Sequence, residues 1–163
     1  MAGQTKKLTP SVPRAETIYA SFSREEERAF LFSGGANPMA ELLYVEQGSL
    51  HSVADGRKQV LQPGDFVIYS PNQWHMQYAD TDVSPRCLRV FFEMSGSLKG
   101  LQDRKFTATG LMEPLFAQLL LDIEPESLSS AGKLKRMEIV QVIVPFRKIS
   151  SAFKIHFLTH VYD

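Results

Sequence analysis

Two strand-like runs carry side chains that can bind a small polar molecule. Glu41 begins one run, and because side chains alternate along a strand, Leu43 and Val45 share its face. His75 lies in a second run, where Gln77 shares its face. A carboxylate can accept hydrogen bonds from two hydroxyl groups of a sugar-like ligand, and an imidazole can donate or accept one. The same two groups could equally bond each other or the backbone, so the residue types leave both roles open.

Other side chains suggest further roles around such a site. Tyr69 lies on another strand-like run and could give a ligand a stacking wall, whereas Trp74 points away from His75 by strict alternation. Arg89 could anchor an anionic ligand or remain a surface charge. Covalent chemistry has no support, because the sequence holds neither a Gly-x-Ser-x-Gly elbow nor a phosphate loop, and Cys87 has no activating neighbours.

The composition fits one globular domain with a single core. The chain has 163 residues, of which 44% are apolar and 22% charged. Lysine plus arginine equals aspartate plus glutamate at 18 each, so no global field recruits nucleic acid or a membrane. No apolar run approaches the ~20 residues of a membrane helix, and the N-terminus lacks an apolar signal core. One cysteine excludes an internal disulfide, so we expect a cytoplasmic protein.

Strand and turn signals alternate closely along the first hundred residues. Asp55-Gly56 is the strongest hairpin signal, because both central residues of a type I′ turn need a positive φ angle. In Pro63-Gly64-Asp65 the proline presets φ and the glycine takes the left-handed position. Ser23, which three glutamates follow closely, could open a short helix instead of ending a strand. The strands are predicted over 17–22, 29–32, 41–46, 49–54, 58–61, 66–69, 74–78 and 86–93, with a loop over 33–38.

One set of these signals occurs in a recognisable order and spacing. Its members are Glu41-Leu-Leu-Tyr-Val, Gly48, Asp55-Gly56, Leu61-Gln-Pro-Gly-Asp65, Pro71 and His75. The set resembles the small cupin barrel, a double-stranded β-helix or jelly roll. More narrowly, residues 30–95 are similar to the N-terminal effector-binding barrel of AraC-type transcription regulators. The resemblance implies a mostly β fold in which a cupin barrel is followed by one or two α-helices.

The resemblance also bears on a metal site. Metal-dependent cupins carry two histidines shortly before the glutamate and a third histidine in the second motif. This chain has Gly35 and Asn37 at the first two positions, so only Glu41 and His75 remain of the set. A transition-metal site commonly needs three or four protein ligands, and we therefore expect no metal and no cofactor. The alternative is a small metal-dependent cupin enzyme of the isomerase or dioxygenase type.

An amphipathic helix is predicted after the barrel, over Leu111–Ile123. Glu113-Pro114 suits its first turn, and six apolar side chains recur at helical spacing on one face. We expect a homodimer through this face, although the face could instead only cover the edge of the barrel. The apolar side chains are Met112, Leu115, Phe116, Leu119, Leu120 and Ile123.

The last thirty residues change in character. From Lys133 on, six cations against two acids give a local net charge of +4. Residues 137–144 fit a second helix or a strand equally well, because five of them are β-branched and the run is continuously apolar except for one glutamine and one glutamate. His156 and His160 have helical spacing but no visible third metal ligand. No helix-turn-helix pattern is present, so we expect no direct contact of this chain with nucleic acid.

The chain is therefore divided into a flexible arm over 1–16, a cupin-like β-barrel over 17–100 and a helical dimerisation region over 101–163. The resemblance implies ligand sensing and dimerisation within an AraC-type transcription regulator, with no enzyme activity. The partner is a small sugar-like or polar effector. The residues predicted to bind it are Glu41, Leu43, Val45, Tyr69, His75 and Gln77.

Overall fold

The computed structural model describes residues 12–98, 104–110, 112–121 and 132–144. Nine strands precede a first helix in this part of the chain. They are β1 Arg14–Glu25, β2 Leu31–Ala36, β3 Ala40–Gln47, β4 Leu50–Ala54, β5 Arg57–Leu61, β6 Asp65–Tyr69, β7 Trp74–Tyr78, β8 Arg86–Ser95 and β9 Phe106–Thr107. Helix α1 is Met112–Leu121, and helix α2 covers 132–144.

The strands form two antiparallel sheets that face each other. The five-stranded sheet has the order β1-β8-β3-β6-β9, and the four-stranded sheet has the order β2-β7-β4-β5. The hairpin between β4 and β5 turns at Asp55 and Gly56, whose φ angles of 46° and 75° are both positive. These positive angles confirm the predicted turn. A turn of this kind is favoured in a hairpin because its twist matches that of the two strands it joins.

Each face of the five-stranded sheet has its own core. Leu43, Val67 and Cys87 point towards the four-stranded sheet and pack with its Leu50 and Leu61. Their chain neighbours point the other way, as alternation along a strand requires. This second core lies under the helices, and it contains Leu42, Ile68, Leu88, Val90, Phe116, Leu119, Val140 and Ile143.

Three local predictions are corrected by the structure. Residues 14–16 belong to β1, and Ala15 is fully buried there, so any flexible arm ends before them. Ser23 lies within the same strand and opens no helix. Residues 33–36, predicted as part of a loop, belong to β2, because Gly35 pairs with His75 on β7. Residues 1–11, which would form the arm, lie outside the described residues.

Both helices pack against the outer face of the five-stranded sheet. In α1, Met112, Phe116 and Leu119 are at most 7% exposed and belong to that core, while Leu115 and Leu120 pack against it. The apolar face of α1 therefore covers the barrel within a single chain. The homodimer stays a prediction, but these three side chains are not available as its surface. Ile123 lies outside the described residues.

Helix α2 resolves the ambiguity of residues 137–144 in favour of a helix. Its Arg136 is fully buried and donates a hydrogen bond from Nη1 to Oγ of Ser21 over 2.6 Å. Its Gln141 donates from Nε2 to the backbone oxygen of Ala15 over 2.9 Å. Both bonds reach β1, so α2 is fixed to the edge strand of the sheet. His156 and His160 lie outside the described residues. Among the residues that are described, no helix is long and apolar enough to span a membrane.

Candidate functional site

A carboxylate and an imidazole meet between the two sheets. Glu41 stands on β3 of the five-stranded sheet, and His75 stands on β7 of the four-stranded sheet. Nε2 of His75 lies 3.1 Å from Oε2 of Glu41, and each residue is 3% exposed. The two residues that the sequence singled out therefore share the interior and bond each other.

Arg89 of β8 joins this pair. Its Nη1 donates to Oε1 of Glu41 over 2.8 Å and to Oε1 of Gln77 over 2.7 Å. Its Nη2 lies 3.5 Å from Oε1 of Glu26, a carboxylate that is only 6% exposed. Buried charges are stable in a protein only when they are paired and hydrogen-bonded, and Arg89 pairs with both buried carboxylates here. Nε2 of Gln77, in contrast, is buried without a hydrogen-bond partner among the described residues.

Both ring nitrogens of His75 face hydrogen-bond acceptors. Nδ1 lies 3.0 Å from the backbone oxygen of Gln73, which can only accept, and Nε2 faces the carboxylate of Glu41. Burial raises the pKa of Glu41, but the hydrogen bond from His75 and the charge of Arg89 outweigh burial and lower it below its ordinary value.

Tyr69 supports the imidazole from behind. Its ring stacks on that of His75 with 3.9 Å between centroids and 6° between planes. Its hydroxyl lies 2.8 Å from Oγ of Ser52, and burial raises the pKa of this phenol well above its ordinary value. A neutral, stacked phenol fixes the orientation of His75 and takes no part in proton transfer near neutral pH.

A cavity of about 640 Å³ opens above Glu41 and His75. Its walls are mostly apolar and aromatic, with a few polar groups among them. The lining residues of β1 to β3 and of the loops between these strands are Phe22, Arg24, Phe30, Leu31, Phe32, Gly35, Ala36, Asn37, Pro38 and Glu41, and those of β7 and β8 are His75, Arg89 and Phe91. A mostly apolar hollow with a few orienting polar groups is the usual form of a small-molecule site.

The predicted site residues fall into two groups. Glu41 and His75 line the cavity, and Gln77 lies directly behind them through its bond to Arg89. The prediction that Leu43, Val45 and Tyr69 contact the ligand is corrected, because none of them lines the cavity. Alternation along the strands correctly predicted that these three side chains point between the two sheets. The space around them is filled by side chains rather than open to a ligand, because they pack with Leu50, Ala54, Leu61, Val67 and Cys87.

The sequence reading missed most of the cavity wall. Arg89 was left undecided between anchor and surface charge, and Phe91 was not considered, although both share a strand face with buried Cys87. Phe22 pairs with Arg89 across β1 and β8, which places it on the same wall. That alternation was a usable signal for Phe91, whereas the position of Phe22 depends on the register between distant strands.

The charges at this site do not fit a metal ion. Glu41 already binds the guanidinium of Arg89 and the imidazole of His75, and a cation at Glu41 would be repelled by that guanidinium. Gly35 and Asn37 line the cavity at the positions where metal-dependent cupins carry histidines, and neither offers an imidazole. Within the described ranges, no three His, Cys, Asp or Glu side chains are grouped to hold a metal.

Comparison with known proteins supports the fold. Residues 35–91 match the family model of the cupin domain. The prediction of a mostly β cupin jelly roll followed by helices is confirmed by this match together with the two antiparallel sheets. No curated protein sequence matches the chain significantly.

Three solved structures illustrate the likeness. A mannose-6-phosphate isomerase-like protein from Ralstonia eutropha is 20% identical with a TM-score of 0.35, and the match covers 44% of this chain and 66% of that one, just under two thirds. KdgF from Halomonas is 18% identical with a TM-score of 0.40, covering 49% and 78%. The Cupin_2 domain of an XRE family transcriptional regulator from Enterobacter cloacae is 17% identical with a TM-score of 0.38, covering 51% and 97%.

Proposed function

From this cupin domain, we propose that the chain is the ligand-sensing domain of an AraC-type transcription regulator. The ligand is a small organic molecule with a polar group, bound in the cavity. The observation that supports this function is that a cavity of about 640 Å³ ends on the hydrogen-bonded groups of Glu41 and His75. Fixed polar groups at the end of an apolar hollow orient a ligand without further rearrangement.

Binding explains the site better than metal-dependent isomerase or dioxygenase chemistry. Such chemistry needs a cation at the glutamate, and the guanidinium of Arg89 lies 2.8 Å from Glu41. Cys87 is not suited to act as a nucleophile, because burial raises the pKa of its thiol to about 12. The polar groups of the site are thus suited to recognise a ligand rather than to transform it.

Strand β1 offers a route from ligand to helix. Phe22 and Arg24 line the cavity, and the same strand holds α2 through the bonds of Ser21 to Arg136 and of Ala15 to Gln141. A ligand that binds one position of β1 more tightly than another therefore also favours one position of α2. This differential affinity is what sensing requires, because a ligand shifts an equilibrium only by its preference for one state.

A thermal-shift screen tests the binding. We expect at least one sugar, amino acid or small organic acid to raise the Tm, since a ligand that binds only the folded state at about 100 times its Kd stabilises by about 2.7 kcal/mol. His75→Gln should reduce the shift, measured from that variant's own Tm. His51→Gln is the matched control, because His51 contacts Asp80 outside the cavity. Equal shifts in all three proteins, or no shift with any compound, would contradict the proposal.

The regulatory part of the proposal needs a separate experiment. The chain can be fused to a DNA-binding domain that acts only as a dimer, with a reporter gene downstream of its operator. We expect the compound found in the thermal screen to change reporter expression, and His75→Gln to weaken the response. A compound that binds the fusion protein but leaves expression unchanged would mean a binding protein without a regulatory role.

A further inference from the structure

Four phenylalanines form the walls of the cavity. Phe22 and Phe91 stack on one side with 6.1 Å between ring centroids and 28° between planes. Phe32 lies across the cavity with its ring 5.6 Å from that of His75. Phe30 completes the set, with the guanidinium of Arg89 lying 5.8 Å from its ring centroid. Walls of this kind favour a flat apolar body, which gains offset-stacked and edge-to-face contacts from several rings at once.

A polyol fits these walls poorly. Its hydroxyl groups would have to leave water, and a buried hydroxyl without a partner costs roughly 1–3 kcal/mol. The carboxylate of Glu41 could satisfy such groups only in part, because its oxygens already accept bonds from His75 and Arg89. The ligand should therefore concentrate its polarity in one group and present an apolar surface elsewhere.

The charges around the cavity identify the sign of that group. Glu26, Glu41, His75 and Arg89 are each at least nine-tenths buried. Within this buried set, Arg89 contacts both carboxylates, at 2.8 Å from Glu41 and 3.5 Å from Glu26. Arg24 adds a positive charge to the lining, and its side chain is 60% exposed. A negatively charged group of a ligand can pair with this exposed cation.

Arg24 is placed to meet that negative charge. Its guanidinium carbon lies 5.9 Å from the ring centroid of Phe22, so the charge sits above one of the aromatic walls. Its Nη2 contacts the two carboxylate oxygens of Glu26 at 3.1 and 3.0 Å, which leaves its other nitrogens for a ligand carboxylate. A guanidinium binds a carboxylate through two parallel hydrogen bonds, and this pairing fixes orientation as well as charge.

We propose that the cavity binds an aromatic monocarboxylate, with its ring among Phe22, Phe30, Phe32 and Phe91 and its carboxylate on Arg24. This inference names the ligand class of the site and rests on the proposed function of the barrel as a small-molecule sensor. The volume of about 640 Å³ leaves room for substituents around a single ring.

Isothermal titration of the full chain with three probes tests the ligand class. Benzoate has the ring and the charge, benzamide is its neutral isostere, and arabinose has hydroxyl groups without a ring. We expect benzoate to bind about tenfold more tightly than benzamide, in line with one charge-assisted pairing, and arabinose to bind most weakly.

Two matched variants test whether Arg24 causes the preference for a negatively charged ligand. Arg24→Gln should bring benzoate and benzamide to within about threefold of each other, because the charge preference then has no partner. Arg57→Gln removes an exposed cation on β5, outside the cavity, and should leave the tenfold preference unchanged. An unchanged preference in Arg24→Gln would overturn the role of Arg24.

The remaining outcomes separate the two proposals. If arabinose or benzamide binds as tightly as benzoate, the ligand class is wrong while the sensing function stands. If benzoate does not bind but a compound of the thermal screen that is not an aromatic monocarboxylate does, the same conclusion follows. If neither the probes nor any compound of the screen binds, the ligand class and the sensing function fail together.

Discussion

The guanidinium of Arg89 lies 2.8 Å from the carboxylate of Glu41, which is 48 positions away in sequence, and both side chains are buried. The two residues stand on adjacent strands, where Arg89 pairs with Leu43 and Glu41 pairs with Phe91. The hydrogen bond between Arg89 and Glu41 therefore runs diagonally between the two strands, and both charged groups lie at the same point of the cavity floor. This relationship makes the site an ion network rather than an isolated carboxylate.

Arg89→Met should destabilise the protein strongly. The substitution removes the guanidinium that pairs with the buried carboxylate of Glu41, and breaking a buried pair in this way typically costs about 3–5 kcal/mol. The free energy of unfolding in urea measures the loss. The matched control is Arg86→Met on the same strand, where the ion pair with Glu46 spans 3.7 Å at an exposed arginine, so a loss of about 0–1 kcal/mol is expected. Equal losses in the two variants would contradict the buried network.

Acid should weaken the fold partly through Glu41. Burial raises the pKa of Glu41 in the folded chain, but bonding to His75 and the charge of Arg89 outweigh burial and lower the pKa from its ordinary value of 4.5. Tyr69 and Glu26 are the other titratable groups of this network. A lowered folded pKa stabilises the fold at pH values above the unfolded pKa. This stabilisation is lost as the pH falls from about 4.5 through the lower folded pKa. Urea unfolding across pH 3–7 should show this slope, reduced in Glu41→Gln.

Asp65 contributes a second acid-sensitive step that serves as a comparison. Burial raises its pKa, but hydrogen bonds from Thr107, the backbone of Gln62 and Lys105 lower it overall. Asp65→Asn should therefore remove a different part of the same slope, and the double variant with Glu41→Gln should remove both. If Glu41→Gln leaves the slope of the wild type unchanged below pH 5, its carboxyl is not stabilised in the folded chain.

Local signals in the sequence predicted the turns and most strands. Asp55-Gly56 and Gly64 succeeded because a positive φ angle is a requirement of the residues themselves, independent of the rest of the fold. The second half of strand β2, predicted as a loop, was missed for the opposite reason. Gly34 and Gly35 read as a loop, and only the pairing of Gly35 with His75, 40 positions away, makes them part of a strand.

The site was predictable only where alternation along one strand sufficed. The sequence placed Glu41 and His75 in the interior, where both line the cavity. Which of their strand neighbours also line it depends on where side chains of the opposite sheet fill the interior. Arg89 needed the register between β3 and β8, which no local pattern contains. Residues 137–144 were ambiguous because their β-branched side chains suit a strand, and packing against the sheet favoured the helix.

Gly34→Ala should cost more stability than Gly56→Ala. Both glycines have positive φ angles, 113° and 75°, so both substitutions strain the backbone. Around Gly56 nothing lies within 4 Å of an added Cβ atom, whereas at Gly34 that atom would lie 2.3 Å from Cζ2 of Trp74. We expect a difference of at least about 1 kcal/mol in the free energy of unfolding. In a Trp74→Ala background the difference should shrink, and an unchanged difference would exclude the clash as its cause.

Cys87 should be inert in the folded protein. It is 1% exposed, and burial raises the pKa of its thiol to about 12, so thiolate is scarce at pH 8. Ellman's reagent should therefore react with the native chain only as fast as the protein opens, and at once after unfolding in urea. Cys87 is the one cysteine of the sequence, so the signal has a single source. Rapid reaction of the native protein would show that the core between the sheets is accessible.

Leu119→Glu should unfold the chain rather than separate a dimer. Leu119 is fully buried under the sheet of its own chain, and a charge placed there without a partner costs several kcal/mol. Leu134→Glu on α2 is the matched control, because Leu134 is 54% exposed and the same substitution should leave the fold intact. Circular dichroism reports folding, and sedimentation reports the oligomeric state. If Leu119→Glu stayed folded and became monomeric, α1 would have to leave the barrel and form the dimer contact after all.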